Sequence, residues 1–269
     1  MKPLFPIGIS SYALRWSIQW KHVSAESALE TAARAGAQVV QICENLAPHE
    51  RPERELRGLS ALADQHGLAL ELGAVGCTPD HLLTCLQTAS YLNARILRIV
   101  LCGANPFALP ELESTIRASL PELHKRGICL AIENHFDLAP RDLKLLVEAI
   151  GSPQIGICLD VFNSVYHLAS QAETIAWLAP LAKTVRVKDV NIRRQNTGFY
   201  LHGCRLGEGR FDLEGLLSAL SLAGHSPALL LESWMDRLDS EVETCIQEEA
   251  WLRDGIQFLK QKTTTEGAV

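Results

Sequence analysis

The sequence lacks several features that would assign it to a class of protein at once. No run of apolar residues is long enough to cross a bilayer, and the opening segment, MKPLFPIGIS, lacks the apolar core and small-residue cleavage site of a secretory signal peptide. There is no run of basic residues, and the formal net charge is −6. We therefore expect a cytoplasmic protein that binds neither a membrane nor a nucleic acid.

The eight cysteines contain no CxxC pair, which argues against a zinc ribbon and a thioredoxin-like motif. Four lie inside apolar runs, where a cysteine behaves as a small buried hydrophobe: Cys43, Cys102, Cys129 and Cys158. Thiols in such settings fit a reducing compartment, so disulfide bonds are not expected. Six of the nine histidines lie on predicted helices or in loops away from strand ends, which predicts surface roles: His22, His66, His81, His124, His167 and His225.

The sequence does contain eight short apolar runs at fairly regular spacing, separated by segments with helical periodicity. The runs predict β-strands at residues 7–10, 39–43, 68–73, 95–101, 128–134, 155–160, 184–189 and 228–233. Cap residues mark several of the intervening helices, such as Ser24 and Gly36 around one of them. A further helix contains Pro121, which predicts a kink or a break.

Eight strands that alternate with helices over about 250 residues favour a (β/α)8 TIM barrel formed by a single domain, residues 1–269. A doubly wound open sheet is the rival architecture, but no glycine-rich phosphate loop follows the first strand. The longest connection between strands, NIRRQNTGFYLHGCRLGEGRF, is polar and contains glycine, which predicts an ordered loop at the active site.

Ionisable residues lie where the predicted strands end, and this is the face on which TIM barrels carry their chemistry. Glu133, Asp160 and Glu232 end three different strands. In the strand TVRVKD, Arg186 and Lys188 alternate with valines, so both cations should point into the barrel. Because an isolated buried charge is costly, these groups must pair with one another or hold a metal ion.

Several other polar residues lie at or near strand ends and are weighed against simpler roles. His135 and Asn163 follow strand ends and are predicted to contact a substrate. Arg98 is either a substrate-binding residue or a structural ion pair between loops. Glu71 is either part of the site or an ion-pair partner inside the barrel.

The ordered segments GISSYAL, AIENH, GICLDVFNS, VKD, LGEGRFDLEGLL and LLESW resemble the signature segments of the xylose isomerase-like TIM-barrel family of sugar isomerases and epimerases. The likeness covers nearly the whole chain. It implies the barrel fold, an enzyme that acts on a small keto sugar or sugar acid, and relatives that often form homodimers.

In that family a divalent ion, usually manganese or magnesium, is held by Glu, Asp, His and Glu, which implies Glu133, Asp160 and Glu232 here. The histidine position is taken by Arg186, and a guanidinium has no lone pair to give to a metal. Two outcomes are open. Either the metal remains, with water or His135 completing its shell, or Arg186 neutralises the carboxylates itself in a metal-free site. The three carboxylates favour a retained metal.

The resemblance implies chemistry through an enediolate, with Glu133 and Glu232 passing protons, so a metal-dependent isomerase or epimerase is expected. The segment VKDVNIRRQNTGFYLHGCRLGEGRFD also resembles a branch of the family that decarboxylates a branched 3-oxo sugar acid. Arg193 and Arg194, which follow Lys188 closely, are predicted to bind the carboxylate of such an acid by bidentate pairing, with an exposed loop cation as the alternative for one of the two. The alternatives to an isomerase are therefore such a decarboxylase, or a metal-free sugar-binding protein without turnover.

Overall fold

The computed structural model describes residues 4–101 and 109–264, which form a closed barrel of eight parallel strands and an antiparallel hairpin. In chain order the strands are β1 Ile7–Ser10, β2 Val39–Ile42, β3 Ala69–Val75, β4 Ile96–Val100, β5 Cys129–Glu133, β6 Ile155–Asp160, β7 Ala182–Val187, β8 Asp189–Gln195, β9 Gly198–Cys204 and β10 Ala228–Leu231. The barrel strands follow one another around the barrel, and β10 closes it between β7 and β1. All eight predicted strands and the predicted (β/α)8 fold are confirmed.

Helices surround the barrel between successive strands. Their bounds are α1 Arg15–Gln19, α2 Ala25–Ala35, α3 Glu53–Gln65, α4 Pro79–Tyr91, α5 Leu109–Arg126, α6 Pro140–Ile150, α7 Gln171–Leu178, α8 Leu213–Leu222 and α9 Glu241–Thr263. Ser24 and Gly36 cap α2 as predicted, and Gly36 takes the left-handed conformation at φ 82°. No helix within the described ranges is both long and apolar enough to span a membrane.

Of the kink or break predicted at Pro121, the break is absent. The helix α5 runs through Pro121 without a break. Proline removes one backbone hydrogen bond there, but Leu112, Ile116 and Leu123 are buried against the barrel on both sides of it. Packing of that apolar face therefore holds the helix together where local propensity alone would end it.

The longest connection between barrel strands contains a β-hairpin. Strands β8 and β9 pair antiparallel, and Asn196 in the turn has a φ of 49°. Gly203 lets the hairpin approach the chain after β10, because a Cβ there would lie 2.4 Å from the carbonyl oxygen of Trp234. The segment is ordered, as expected, but its sheet was not predicted because most of the hairpin is exposed and has no apolar run.

Asp189, the first residue of β8, organises the chain that follows the hairpin. Its carboxylate oxygens accept hydrogen bonds from the backbone N–H groups of Gly207, Gly209 and Phe211 at 2.9, 3.0 and 3.0 Å. A Cβ at Gly209 would lie 2.1 Å from Oδ1 of Asp189, so glycine is required there. These hydrogen bonds fasten the segment GEGRF, residues 207–211, to Asp189, the residue that follows Lys188.

The cysteines behave largely as predicted. Every cysteine in the described part of the chain is a free thiol, while Cys102 lies outside the described residues. Cys43 and Cys158 are buried but also touch polar groups at the mouth of the barrel. The Sγ atom of Cys43 accepts a hydrogen bond from Nη2 of Arg186 at 3.3 Å, so this thiol is more than a filler of the core.

Candidate active site

A cavity of about 420 Å³ opens at the carboxyl ends of the barrel strands. Its volume suits a small molecule of the size of a sugar. The lining residues come from several elements around the mouth: Tyr12, Arg15, Glu44, Val75, Arg98, Val100, Glu133, His135, Phe136, Asn163, Arg186, Glu232 and Trp234. Charged side chains are therefore concentrated in one water-accessible depression, on the face where the sequence predicts the site.

Arg186 occupies the middle of this charge cluster. Its guanidinium contacts a carboxylate oxygen of Glu232 through Nη1, and its Nε lies 3.3 Å from Oε2 of Glu133. Nη2 donates to Oε1 of Gln41 at 2.7 Å. The side chain is almost fully buried, so its charge is balanced by the two glutamates and not by water.

Lys188 lies beside Arg186 and binds the third carboxylate. Its Nζ is 2.6 Å from Oδ2 of Asp160 and 3.4 Å from Oε1 of Glu232. The ammonium group also lies 3.9 Å from the ring centroid of Trp234, which adds a cation–π contact. Both inward-pointing cations predicted from the alternation in TVRVKD are present, Arg186 in β7 and Lys188 just after it, and their partners are the predicted carboxylates.

Arg98 completes the array from β4. Its Nε donates to Oε2 of Glu133 at 2.5 Å, and its Nη1 lies 3.3 Å from Oε2 of Glu44. The hydroxyl of Tyr12 donates to Oε1 of Glu44 at 3.1 Å. Three cations and three strand-end carboxylates thus form one buried network, and Glu44 extends it to the edge of the mouth.

The network shifts the pKa values of its carboxylates in opposite directions. Burial alone would raise the pKa of Glu133, but Arg98 and Arg186 outweigh it and hold that pKa below its usual range. Burial is likewise outweighed at Glu232, where Lys188 and Arg186 hold the pKa far below its usual range. At Asp160 burial prevails and raises the pKa in spite of Lys188. Both glutamates at the mouth are therefore stable as anions.

His135 and Asn163 lie where the sequence predicts, at the mouth. The side-chain amide of Asn163 donates to Oε1 of Glu133 at 3.0 Å and accepts from Nζ of Lys188 at 3.2 Å. His135 lines the cavity, and burial lowers its pKa. Arg193 and Arg194 instead lie on the exposed outer part of β8, and neither lines the cavity. A carboxylate-binding role for Arg194 is therefore not supported by its position.

Glu71 lies inside the barrel beneath the mouth. Its Oε2 accepts from Nε2 of Gln41 at 2.9 Å, and Gln41 in turn binds Arg186. Burial raises the pKa of Glu71 to about 7. Of the two roles considered for Glu71, the position favours a polar layer inside the barrel, because the side chain does not line the mouth cavity.

The raised pKa of Glu71 makes a prediction about stability. Between pH 4.5, the ordinary value, and pH 7 the unfolded chain loses this proton while the folded chain keeps it. The folded state therefore loses about 3 kcal/mol of stability relative to the unfolded state as pH rises through this range. The variant Glu71→Gln has no such proton to lose. Chemical denaturation should therefore show its unfolding free energy rising by about 3 kcal/mol relative to that of the natural protein between pH 4 and pH 8.

The matched control for this prediction is Glu55→Gln, at an exposed position on α3. The difference in unfolding free energy between this control and the natural protein should stay within about 0.5 kcal/mol over the same pH range. A Glu71→Gln variant whose difference from the natural protein does not change with pH would contradict the assignment.

The structure also brings to the mouth residues that were not singled out from the sequence. Tyr12 and Arg15 come from the segment directly after β1, and Glu44 and Trp234 follow β2 and β10. The guanidinium carbon of Arg15 lies 5.4 Å from the ring centroid of Tyr12, and its buried Nε has no hydrogen-bond partner among the described residues. The signal for these residues was their place two to five residues after a strand, which applies equally to many surface residues.

Most of the chain matches the model of a known protein family. The family model of the xylose isomerase-like TIM barrel matches residues 29–262. The chain belongs to that family. It is therefore an enzyme built on the xylose isomerase-like scaffold, and the resemblance found in the sequence is confirmed.

Individual members of the xylose isomerase-like family resemble this chain to different degrees. The 3-oxo-isoapionate decarboxylase of Pectobacterium atrosepticum is 33% identical over 259 residues, which cover 94% of each chain. A D-allulose 3-epimerase from a Methylomonas species has a TM-score of 0.72 at 16% identity, with 97% of this chain and all of that chain covered. A protein of the family from Mycobacterium smegmatis, solved in complex with magnesium, has a TM-score of 0.70 at 12% identity, with 96% and 99% covered.

The carboxylates of the site fit a divalent ion poorly, although a xylose isomerase-like protein has been solved with one. Each of Glu133, Asp160 and Glu232 is already engaged by a positive side chain at 3.4 Å or less. An ion between the two glutamates would lie beside Arg186. Like unit charges 4 Å apart repel by about 4 kcal/mol at an effective dielectric constant of 20, and a divalent ion doubles this.

Proposed function

We propose that this enzyme is a metal-independent decarboxylase of a small 3-oxo sugar acid. The observation that carries the proposal is the position of Arg186, whose guanidinium contacts both Glu133 and Glu232 where the family pattern has a metal-binding histidine. A fixed positive charge at this point can stabilise an enolate oxygen without a metal. The likeness to the 3-oxo-isoapionate decarboxylase supports the same reaction class.

The pKa values favour decarboxylation over proton abstraction. A base that removes a proton from carbon works best when its pKa is near the working pH. The cations around Glu133 and Glu232 hold the pKa of both carboxylates below the usual range, which makes them weak bases. Loss of carbon dioxide generates the same kind of enolate without any base, so the site suits it better.

The reaction then proceeds in two steps. The bond between the carboxylate carbon and the carbon beside the ketone breaks, its electron pair moves into the carbon–carbon bond of an enolate, and carbon dioxide leaves. The guanidinium groups of Arg186 and Arg98 stabilise the negative charge on the enolate oxygen. Glu133 holds both guanidinium groups in place through its Oε2 atom. Addition of one proton to the enolate carbon gives the ketone product.

The proton comes from Lys188 through a water molecule in the cavity. Lys188 lies directly behind Glu232 and Trp234, which both line the cavity, and its Nζ is 3.4 Å from Oε1 of Glu232. Glu232 stays an anion, because Lys188 and Arg186 hold its pKa far below the usual range, and its charge keeps the ammonium group of Lys188 at the wall of the cavity. Lys188 regains its proton from water after the product leaves.

Arg15 is assigned to the carboxylate of the substrate. It lines the cavity, and no hydrogen bond of its Nε within the described part of the chain holds the guanidinium elsewhere. Paired guanidinium and carboxylate groups form strong hydrogen bonds, and the carboxylate is the group that separates a sugar acid from a sugar. The site therefore discriminates in favour of anionic substrates.

The decisive experiment supplies 3-oxo-isoapionate to the purified enzyme and follows carbon dioxide release and the product by NMR. We expect release at the same rate before and after treatment with EDTA. In deuterated water one deuterium should appear at the carbon that lost carbon dioxide. An enzyme that releases no carbon dioxide, but exchanges the proton beside the carbonyl of a keto sugar in a manganese-dependent manner, would be an epimerase.

An epimerase acting on a keto sugar remains the second candidate. It is favoured by the presence of all three carboxylates of the family pattern and by the shared fold of the D-allulose 3-epimerase. D-allulose and D-fructose are the probes for this reaction. Conversion of either one that depends on added Mn²⁺ or Mg²⁺ would support this candidate and count against a metal-independent decarboxylase.

The role of Arg15 leads to a kinetic prediction. Arg15→Met should raise KM for the sugar acid about 10- to 100-fold, because a hydrogen bond to a charged group contributes about 1.5–3 kcal/mol. It should leave kcat unchanged or raise it, since negative charge leaves the carboxylate as the bond breaks and the interaction with Arg15 is weaker in the transition state. Steady-state kinetics check both values. The control is Arg54→Met, at an exposed position on α3, and a KM within twofold of the natural value in Arg15→Met would contradict the assignment.

A further inference from the structure

A second cluster of ligand-type side chains lies outside the mouth cavity. His49 comes from the turn Pro48–Glu50 after β2, and His81 and Cys85 lie one helical turn apart on α4. Their ligand atoms lie within 4.8 Å of one another. None of the three lines the cavity of the active site. His81, predicted to have a surface role, is thus half-buried against a histidine and a thiol.

The distances match those between the ligands of a tetrahedral zinc ion. Sγ of Cys85 lies 3.3 Å from Nε2 of His81 and 3.9 Å from Nε2 of His49. Zn–N bonds of about 2.0 Å and Zn–S bonds of about 2.3 Å place nitrogen and sulfur about 3.5 Å apart across a tetrahedral angle. The observed separations lie on either side of that value.

The hydrogen bonds around His49 leave the correct nitrogen available. The hydroxyl of Thr88 donates its proton to the carbonyl oxygen of Thr84 at 3.1 Å. Its oxygen, 3.4 Å from Nδ1 of His49, can therefore only accept, so Nδ1 carries the proton. Nε2 of His49 then has a free lone pair that faces Cys85. Histidine ligands of zinc are commonly oriented in this way, by a hydrogen bond from the ring nitrogen that does not bind the metal.

We propose that His49, His81 and Cys85 form a binding site for Zn²⁺ or a similar borderline-soft divalent ion, with water as the fourth ligand. Imidazole and thiolate are the ligands that such ions prefer, whereas magnesium and manganese prefer oxygen. On binding, the thiol of Cys85 releases its proton to water and the thiolate sulfur bonds to the metal.

The site would join a segment at the mouth to a helix outside the barrel. The chain around His49 also contains Glu44, which pairs with Arg98, while α4 is packed on the outside of the barrel. A metal bound between them would fasten this segment to the helix. It would therefore raise the melting temperature of the protein, because a ligand that binds only the folded state stabilises it.

The test uses Co²⁺ as the probe on protein stripped with a chelator. We expect one ion per chain, visible absorption typical of tetrahedral cobalt, a thiolate-to-cobalt charge-transfer band in the near ultraviolet, and displacement by Zn²⁺ with a rise in melting temperature. Cys85→Ala should lose the charge-transfer band. His49→Gln and His81→Gln should each weaken binding at least tenfold, which keeps the test decisive should the cysteine variant fold poorly.

The controls are His22→Gln and Cys245→Ala, which replace a histidine and a cysteine remote from the cluster and should bind cobalt as the natural protein does. Two results would overturn the proposal. One is the absence of a charge-transfer band in the natural protein at saturating Co²⁺. The other is a band of unchanged intensity and midpoint in Cys85→Ala, which would place the metal on another thiol.

Discussion

Arg186→Met should abolish most of the activity and much of the stability of this enzyme. The variant loses the positive charge proposed to stabilise the enolate, and removal of one such donor typically lowers kcat about 100- to 1,000-fold. It also leaves Glu133 and Glu232 buried without their shared partner, which costs about 3–5 kcal/mol of unfolding free energy. Carbon dioxide release and denaturant unfolding measure the two effects separately.

Arg194→Met is the matched control, because it removes an arginine from the neighbouring strand at an exposed position. Its unfolding free energy should stay within about 0.5 kcal/mol and its activity close to that of the natural enzyme. If Arg186→Met retained more than a tenth of the natural kcat, the guanidinium would not be the group that stabilises the enolate.

Arg186→His should turn the site into a metal centre. Imidazole supplies the lone pair that guanidinium lacks, and removal of the positive charge leaves Glu133, Asp160 and Glu232 with an excess of negative charge. We expect the variant to bind Mn²⁺ at least about 100-fold more tightly than the natural protein, because a divalent ion no longer meets an adjacent arginine. Calorimetric titration and the electron paramagnetic resonance signal of free Mn²⁺ check this without reference to activity.

Arg186→Lys serves as the control for that experiment, since it keeps the charge and should bind Mn²⁺ as weakly as the natural enzyme. Equally tight Mn²⁺ binding by the natural protein and by Arg186→His would show that the guanidinium does not exclude the ion. The retained-metal alternative derived from the sequence would then be the better description of the site.

The barrel and the centre of the site could be predicted from the sequence because both depend on local rules. Apolar runs of strand length specify the eight strands, and the alternation in TVRVKD directs Arg186 in β7 and Lys188 just after it inward. The cost of burying a charge then requires partners, and the carboxylates at the ends of β5 and β6 and just after β10 provide them. No distance was needed for this step.

The remaining features depend on distances that no pattern contains. Whether Arg186 replaces a metal depends on where its guanidinium lies relative to two glutamates. Arg15 reaches the cavity because a short 3₁₀ helix, Ser11–Leu14, leads from β1 into α1, and the sequence there indicated only an opening strand. The cluster of His49, His81 and Cys85 combines a residue after β2 with two residues of α4. Each of the three by itself resembles an ordinary polar or buried residue.

The fastening of GEGRF to Asp189 implies that activity depends on residues that never meet a substrate. Lys188 and Asp189 are consecutive, so a change that frees the carboxylate of Asp189 from the backbone of Gly209 also frees the backbone that aims the ammonium group of Lys188. Random mutagenesis should therefore recover inactive yet folded variants in this glycine-containing stretch. These variants should bind the substrate almost normally but transfer the proton from Lys188 slowly.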